Sequence, residues 1–509
     1  MLRRTRLKTV GLVALAILAV MGLAPGNSGA AAKKTTKKKT TKTTKAAPVP
    51  ASTGPAATAV PASTVPPVAV SNVVWTPCGA PFDCATVKVP LDYSSPSGPK
   101  IDIGMKRIKA KGATRKGIIL LNPGGPGGSG IRLLEVKPGI VGPTAAEQYD
   151  VIGFDPRGLG ASTPLPCGSA QDRSARSSKQ YVSAIKEACD SRAGGLRPHI
   201  TTANTARDMD AIRVAMGEAK LNYLGISYGT YLGVVYADLF PDKVGRFVID
   251  SAVDPNLRAI ELQIGQFAQI EQNLLMVLRR CEVACPFADP DVVGRFDRLL
   301  AQLEKAPVVS RPYQVSAPTL LSLARALPAR KGGEALLMKM MAELERRDAS
   351  AIFEVIKLLD DRLPDPSDLL EGVDGDALYF QVACSEGFHP STSPDFSNYV
   401  RLVTAQAPRF VLLAAAQTFR TCAFWDKNVE TRPIPVAKPG VPPMLFVASS
   451  NDPVTPPVWT AALASRWPGS VLLRVTSFNH GATPDEPCAN KAAADFFLTG
   501  TLPTPNACP

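Results

Sequence analysis

Three residues of this chain have the side chains that acyl transfer requires, and they lie far apart in sequence: Ser227 in Gly225-Ile226-Ser227-Tyr228-Gly229, Asp452 in SSNDPVTPP and His480 in FNHGATPDE. A serine hydroxyl is a weak nucleophile until a base takes its proton, and the base needs a third group to hold its tautomer. Alone, a Gly-x-Ser-x-Gly pentapeptide means little, since it arises by chance in roughly one chain in ten of this length. The base comes from three histidines. His199 in RPHITT and His389 in SEGFHPST read more simply as surface or packing residues. His480 follows the last apolar run and precedes the last helical pattern. For the acid, Asp452 follows the run PPMLFVASSN, with Asp250 in RFVIDSAVDP as the alternative. Asp452 would orient His480, which would take the Ser227 proton and return it to the leaving group.

Negative charge developing on a substrate oxygen needs backbone donors. The amide of Tyr228 is one candidate. Residues 122–130, NPGGPGGSG, offer backbone with few side chains in the way, and Gly125 is the expected second donor. No Gly-Lys-Ser/Thr ends this loop and no GxGxxG occurs, so a phosphate cradle is set aside. No paired CxxC motifs occur among the cysteines, which argues against zinc, and the chemistry calls for no cofactor.

Positioning these groups takes a sheet. Near-continuous apolar runs (GIILLNPGG, YDVIGFDPRG, LNYLGIS, VGRFVIDSAV) alternate with helical patterns, which predicts an α/β fold with a mostly parallel sheet covered by helices. In NTARDMDAIRVAMGE, Asn204 is the expected N-cap. A strand ending at Ser227 and an apolar helix starting after it form the context of a nucleophile elbow. The order Ser, Asp, His is that of α/β-hydrolases. The alternation breaks over residues 256–430, which read as a large inserted helical cap domain, and resumes over 431–509. The first part of the core spans 73–255.

Ahead of the core, residues 1–30 run from Arg3, Arg4, Arg6 and Lys8 through VGLVALAILAVMGLA to small residues, the order of a cleaved signal peptide. An uncleaved anchor is the rival, but the apolar run is short for a bilayer. Residues 31–72 are rich in Lys, Thr, Pro and Ala and predict a disordered tether. Its lysines could attract anionic wall polymers or membrane head groups; a solvated spacer is the plainer reading. Residues 1–82 hold eleven Lys or Arg and no acid, leaving 46 basic against 44 acidic residues downstream. The folded part is near neutral, so nucleic acid is not an expected partner. Ten cysteines in an exported chain favour disulfides, and neighbours in sequence pair most simply: Cys78 with Cys84, Cys167 with Cys189, Cys281 with Cys285, Cys384 with Cys422, and Cys488 with Cys508.

Taken in order, NPGGPGGSG, FDPRGLGAS, TTANTARDMDAIR, GISYGTYLG, SSNDPVTPP and NHG resemble secreted bacterial α/β-hydrolases of the tripeptidyl aminopeptidase type, relatives of proline iminopeptidases. The likeness covers residues 73–509, including the C-terminal region typical of that group. It implies Ser227, His480 and Asp452 as nucleophile, base and acid, with Gly125 and Tyr228 at the oxyanion hole. It also implies a helical cap and release of short peptides from free N-termini. A carboxylesterase or lipase using the same residues is the alternative, and a non-catalytic binding protein is disfavoured because all three residue types stand in order. An exopeptidase must hold a free ammonium, for which Glu386 in CSEGFH is the candidate carboxylate.

Overall fold

The apolar runs become strands closed off from water on both faces. The computed structural model describes residues 73–167, 178–193, 195–284, 290–310, 313–329, 332–350, 352, 372–387, 394–418, 422, 425 and 433–509. The segments read as signal and tether lie outside these residues, as do Cys285 and His389. Twelve strands are found among the described residues: β1 (Thr76–Pro77), β2 (Phe82–Pro90), β3 (Lys100–Ile108), β4 (Gly117–Asn122), β5 (Tyr149–Phe154), β6 (Leu221–Ile226), β7 (Val244–Asp250), β8 (Val308–Ser310), β9 (Tyr313–Val315), β10 (Leu445–Ser449), β11 (Val471–Val475) and β12 (Ala507–Cys508). Ten form one sheet in the order β1-β2-β3-β5-β4-β6-β7-β10-β11-β12. Pairings from β5 through β12 are parallel, and β1, β2 and β3 add an antiparallel edge.

Side-chain alternation splits each central strand between two cores. Ile118 and Leu120 of β4 join one, while Ile119 and Leu121 join the other. Every residue of β4 and β5 is buried, as a parallel sheet covered on both sides requires. The two-residue strands β1 and β12 and the β8-β9 hairpin were not expected, because so short a run carries no period.

Six helices bear on the site: α1 (Thr202–Ala215), α2 (Tyr228–Leu239), α3 (Ala259–Ala284), α4 (Gly372–Ser385), α5 (Pro457–Ala464) and α6 (Pro487–Thr499). Helix α1 begins earlier than the sequence suggested. Its N-cap is Thr201, whose hydroxyl accepts from the amide of Asn204, so Asn204 is already inside the helix. Between β7 and β10, α3 and five helices at 292–305, 317–326, 333–345, 394–406 and 411–418 contribute to a separate apolar core that includes Leu274, Phe296, Leu320, Met340 and Phe410. Helix α4 instead packs on the core of the sheet through Ala377, Leu378, Phe380 and Val382.

Four expected disulfides are formed: Cys78–Cys84, Cys167–Cys189, Cys384–Cys422 and Cys488–Cys508. The Cys281–Cys285 pairing lies outside the described residues. No described helix is long and apolar enough to cross a membrane.

One buried ion pair anchors the antiparallel edge to the rest. Arg157, of the FDPRG motif, is fully buried and donates to both carboxylate oxygens of Asp208 on α1 at 2.7 and 2.6 Å. Its remaining N–H groups reach the carbonyls of Pro90, Leu91 and His199, and Tyr93 donates its hydroxyl to Asp208 at 2.8 Å. The pair is fully satisfied, so breaking it leaves a charge in an apolar interior. Asp208→Ala is expected to cost about 3–5 kcal/mol, read as a lowered urea midpoint. A midpoint equal to wild type would show that the pair contributes nothing.

Candidate active site

Five strands adjacent in the sheet each deliver one part of the site at their C-terminal ends: the glycine-rich loop after β4, Ser227 after β6, Asp250 at the end of β7, Asp452 after β10 and His480 after β11. That edge is where open parallel sheets gather ligands.

Ser227 occupies a single residue between β6 and α2, with φ +57° and ψ −127°. A side chain pays of order 1–3 kcal/mol for such backbone, and the surroundings hold it there. The Ser227 amide donates to the carbonyl of Asp250 at 3.0 Å. The flanking glycines are required by close approach. A Cβ on Gly225 would lie 2.4 Å from the Gly229 carbonyl oxygen, and one on Gly229 would lie 2.6 Å from that of Asn122.

The loop after β4 presses against this turn. A Cβ on Gly124 would fall 2.8 Å from the Tyr228 amide nitrogen and 2.9 Å from the Ser227 Cβ. Gly124 donates its own amide to the Asn122 side chain at 2.9 Å, whereas the Gly125 amide has no acceptor among the described residues. The Gly127 amide likewise has no acceptor among the described residues, so the loop offers two candidate donors, with the Tyr228 amide at the start of α2.

Asp452 is fully buried, and its carboxylate accepts from the amides of Val454 and Thr455, the Thr455 hydroxyl, and His480 Nδ1 at 2.9 Å. Burial works against the charged form of each partner. Their mutual attraction and hydrogen bond outweigh it, holding the Asp452 carboxyl below its ordinary value and the His480 imidazole above. His480 keeps 27% of its side chain exposed, so the ring is anchored at Nδ1 and part of it remains accessible.

Asp250, the alternative acid, has another task. Its buried carboxylate accepts from the amides of Ala482 at 3.1 Å and Thr483 at 2.7 Å, while the Ser251 hydroxyl accepts from Gly481 at 2.9 Å. The end of β7 therefore grips the turn that carries His480. That turn also touches the elbow: a Cβ on Gly481 would lie 3.0 Å from Ile226 Cγ2. His199 contributes its backbone carbonyl to Arg157 and Asn204, and no hydrogen bond among the described residues joins it to Asp452 or His480.

Glu386 follows the end of α4 and is 3% exposed. Its two oxygens accept from the Thr202 amide and hydroxyl, each at 2.6 Å. With the Thr202 hydrogen committed to Glu386, the Tyr228 hydroxyl donates to Thr202 at 2.5 Å. Burial, with Glu386 nearby, pushes the Tyr228 hydroxyl well up and keeps it protonated. This Thr202 link was invisible in sequence, as was the grip of Asp250 on the histidine turn. Helix α4 also lies on the glycine-rich loop, since a Cβ on Gly127 would meet the Gly375 carbonyl oxygen at 2.5 Å. No described group of His, Cys, Asp and Glu could hold a metal ion.

A serine on a strand-to-helix turn and an Asp–His pair at the same edge of a mostly parallel sheet put the protein among the α/β-hydrolases, with no hydrogen bond between Ser227 and His480 among the described residues. Residues 117–318 match the family described as alpha/beta hydrolase fold, and residues 410–508 match that described as TAP-like protein. The tripeptidyl aminopeptidase of Streptomyces lividans is 32% identical over 471 residues, covering 85% of each chain. Serine protease Hip1 of Mycobacterium tuberculosis is 27% identical over 475 residues, covering 86% of this chain and 90% of its own. Carboxylesterase B of the same organism is 29% identical over 471 residues, covering 82% and 85%. The chain belongs to the tripeptidyl aminopeptidase family of α/β-hydrolases and is a serine peptidase.

Proposed function

We propose that this peptidase is exported and removes short peptides, tripeptides or similar, from free N-termini through an acyl-enzyme on Ser227. The observation that carries the reading is the Asp452–His480 contact at 2.9 Å, on the same sheet edge as the Ser227 turn. His480 takes the Ser227 proton as Oγ attacks the scissile carbonyl. The amides of Gly125 and Tyr228 receive the oxyanion, and collapse passes the proton to the departing amine. Water, deprotonated by His480, then attacks the ester, frees the short peptide as a carboxylate and restores Ser227. Export is supported by the basic, apolar, small-residue order of residues 1–30 and by four disulfides.

The likeness to carboxylesterase B keeps ester hydrolysis as a second reading. A panel of free and amino-blocked tripeptide nitroanilides, run beside p-nitrophenyl acetate, decides between them. Among the nitroanilides, cleavage of the free peptides alone is expected; turnover of the ester with no peptide cleaved would favour the esterase.

Glu386 is the proposed anchor for the substrate ammonium, as a buried carboxylate on the cap linked through Thr202 to the Tyr228 side chain. Glu386→Gln is expected to raise KM for a free tripeptide nitroanilide by about ten- to a hundredfold and to spare the small ester. Equal losses on both substrates would make Glu386 purely architectural.

A further inference from the structure

We propose that α3, the first helix of the cap, is a strut that positions the acid Asp452, acting through Gln266 and Asn273. The inference rests on the reading of Ser227, His480 and Asp452 given above. Gln266 donates from Nε2 to the Val454 carbonyl at 2.7 Å, and Asn273 donates from Nδ2 to the Asn451 carbonyl at 2.8 Å. These carbonyls bracket Asp452. The two side chains are seven residues apart, two turns of helix, so they project from one stripe of α3 onto one loop. Asn273 is 3% exposed, and Gln269 donates to its oxygen at 2.9 Å, which fixes the amide with its NH2 toward Asn451. Contact continues past the loop. A Cβ on Gly265 would lie 2.8 Å from the Trp459 indole of α5, so the helix rests directly on the segment that follows the acid.

The core holds the same loop by its amides, with Ser450 donating to the Val475 carbonyl at 2.8 Å and Asn451 to that of Ser477 at 2.9 Å. Cap donors on one side and core acceptors on the other fix the backbone from which Asp452 reaches His480. The turn carrying His480 is gripped by the end of β7 instead. The acid loop is thus held between α3 and the segment that leads to His480, and the seating of α3 bears on how acid and base meet. A helix that only admitted substrate would have no need of donors aimed at the acid loop.

The full-length double variant Gln266→Ala/Asn273→Ala tests this, assayed on p-nitrophenyl acetate and on a free tripeptide nitroanilide across pH. Misplacing a catalytic group by about 1 Å costs on the order of a hundredfold. The expected result is a fall in kcat of about ten- to a hundredfold on both substrates, little change in KM for the ester, and an acidic limb moved to lower pH. Gln272→Ala, on the exposed side of the same helix, should match wild type. An unchanged kcat on the ester, with only the peptide KM altered, would assign α3 to substrate admission and overturn the proposal. If the double variant does not fold by circular dichroism, the two single variants carry the same comparison. Ser227→Ala runs alongside: should it stay active, the fault lies with the nucleophile assignment rather than with α3.

Discussion

Ser227→Ala should fold as the wild type does and lose kcat/KM on the order of 10⁶-fold, together with all labelling by a fluorophosphonate probe. Folding is expected to survive because alanine keeps the Cβ, and with it the same unfavourable backbone at φ +57°. The hydrogen bond that the residue 227 amide donates to the Asp250 carbonyl is likewise untouched. What disappears is the oxygen that His480 would activate. Residual turnover should reflect only the loop amides and substrate binding. Labelling equal to wild type would remove Ser227 from the mechanism.

Asp452→Asn should lower kcat by about 10⁴-fold and also move the pH profile. The sign follows from the environment of His480. Burial favours the neutral ring, and the negative Asp452 with its hydrogen bond outweighs burial to raise the imidazole above its ordinary value. The base works only when neutral, so in the wild type kcat/KM falls as pH drops through that raised value. An uncharged carboxamide at position 452 leaves burial dominant, and the acidic limb should shift to lower pH even as the maximum falls. The amide would also offer Nδ1 a donor as readily as an acceptor, so the productive tautomer is lost. A pH–rate series on both proteins measures the shift. A limb that does not move would mean that another group orients His480.

The strands could be read in the sequence because parallel strands buried on both faces leave unbroken apolar runs, as GIILLN and YDVIGF do. Ser227, Asp452 and His480 stood out for the same reason, since each comes shortly after such a run. The supporting contacts were not readable. Arg157 meets Asp208, Glu386 meets Thr202, and Asp250 meets the amides of residues 482 and 483 only after chain segments far apart have packed. Nothing in local periodicity encodes such pairings. Asp250 was the more deceptive case, because its sequence setting resembles that of Asp452, both carboxylates accept backbone amides, and only the contact of Asp452 with His480 Nδ1 separates them. Thr201 took the cap expected of Asn204 for a local reason: the chain is already extended at 201, with φ −137° and ψ 156°, and the helix starts one residue later.

The pairing of β7 with β10 also bears on the order in which the molecule assembles. Val248 lies beside Leu445, so the centre of the sheet cannot close until the intervening chain, cap included, has been looped out. Closing so long a loop adds little to the equilibrium cost, because that cost grows only with the logarithm of length. It weighs far more on the rate, since distant contacts form slowly. The serine turn rests on β4, β6 and β7, all in the first half of the sheet, whereas Asp452 and His480 arrive only with the second half. The nucleophile and its base thus lie on opposite sides of the longest chain closure in the sheet.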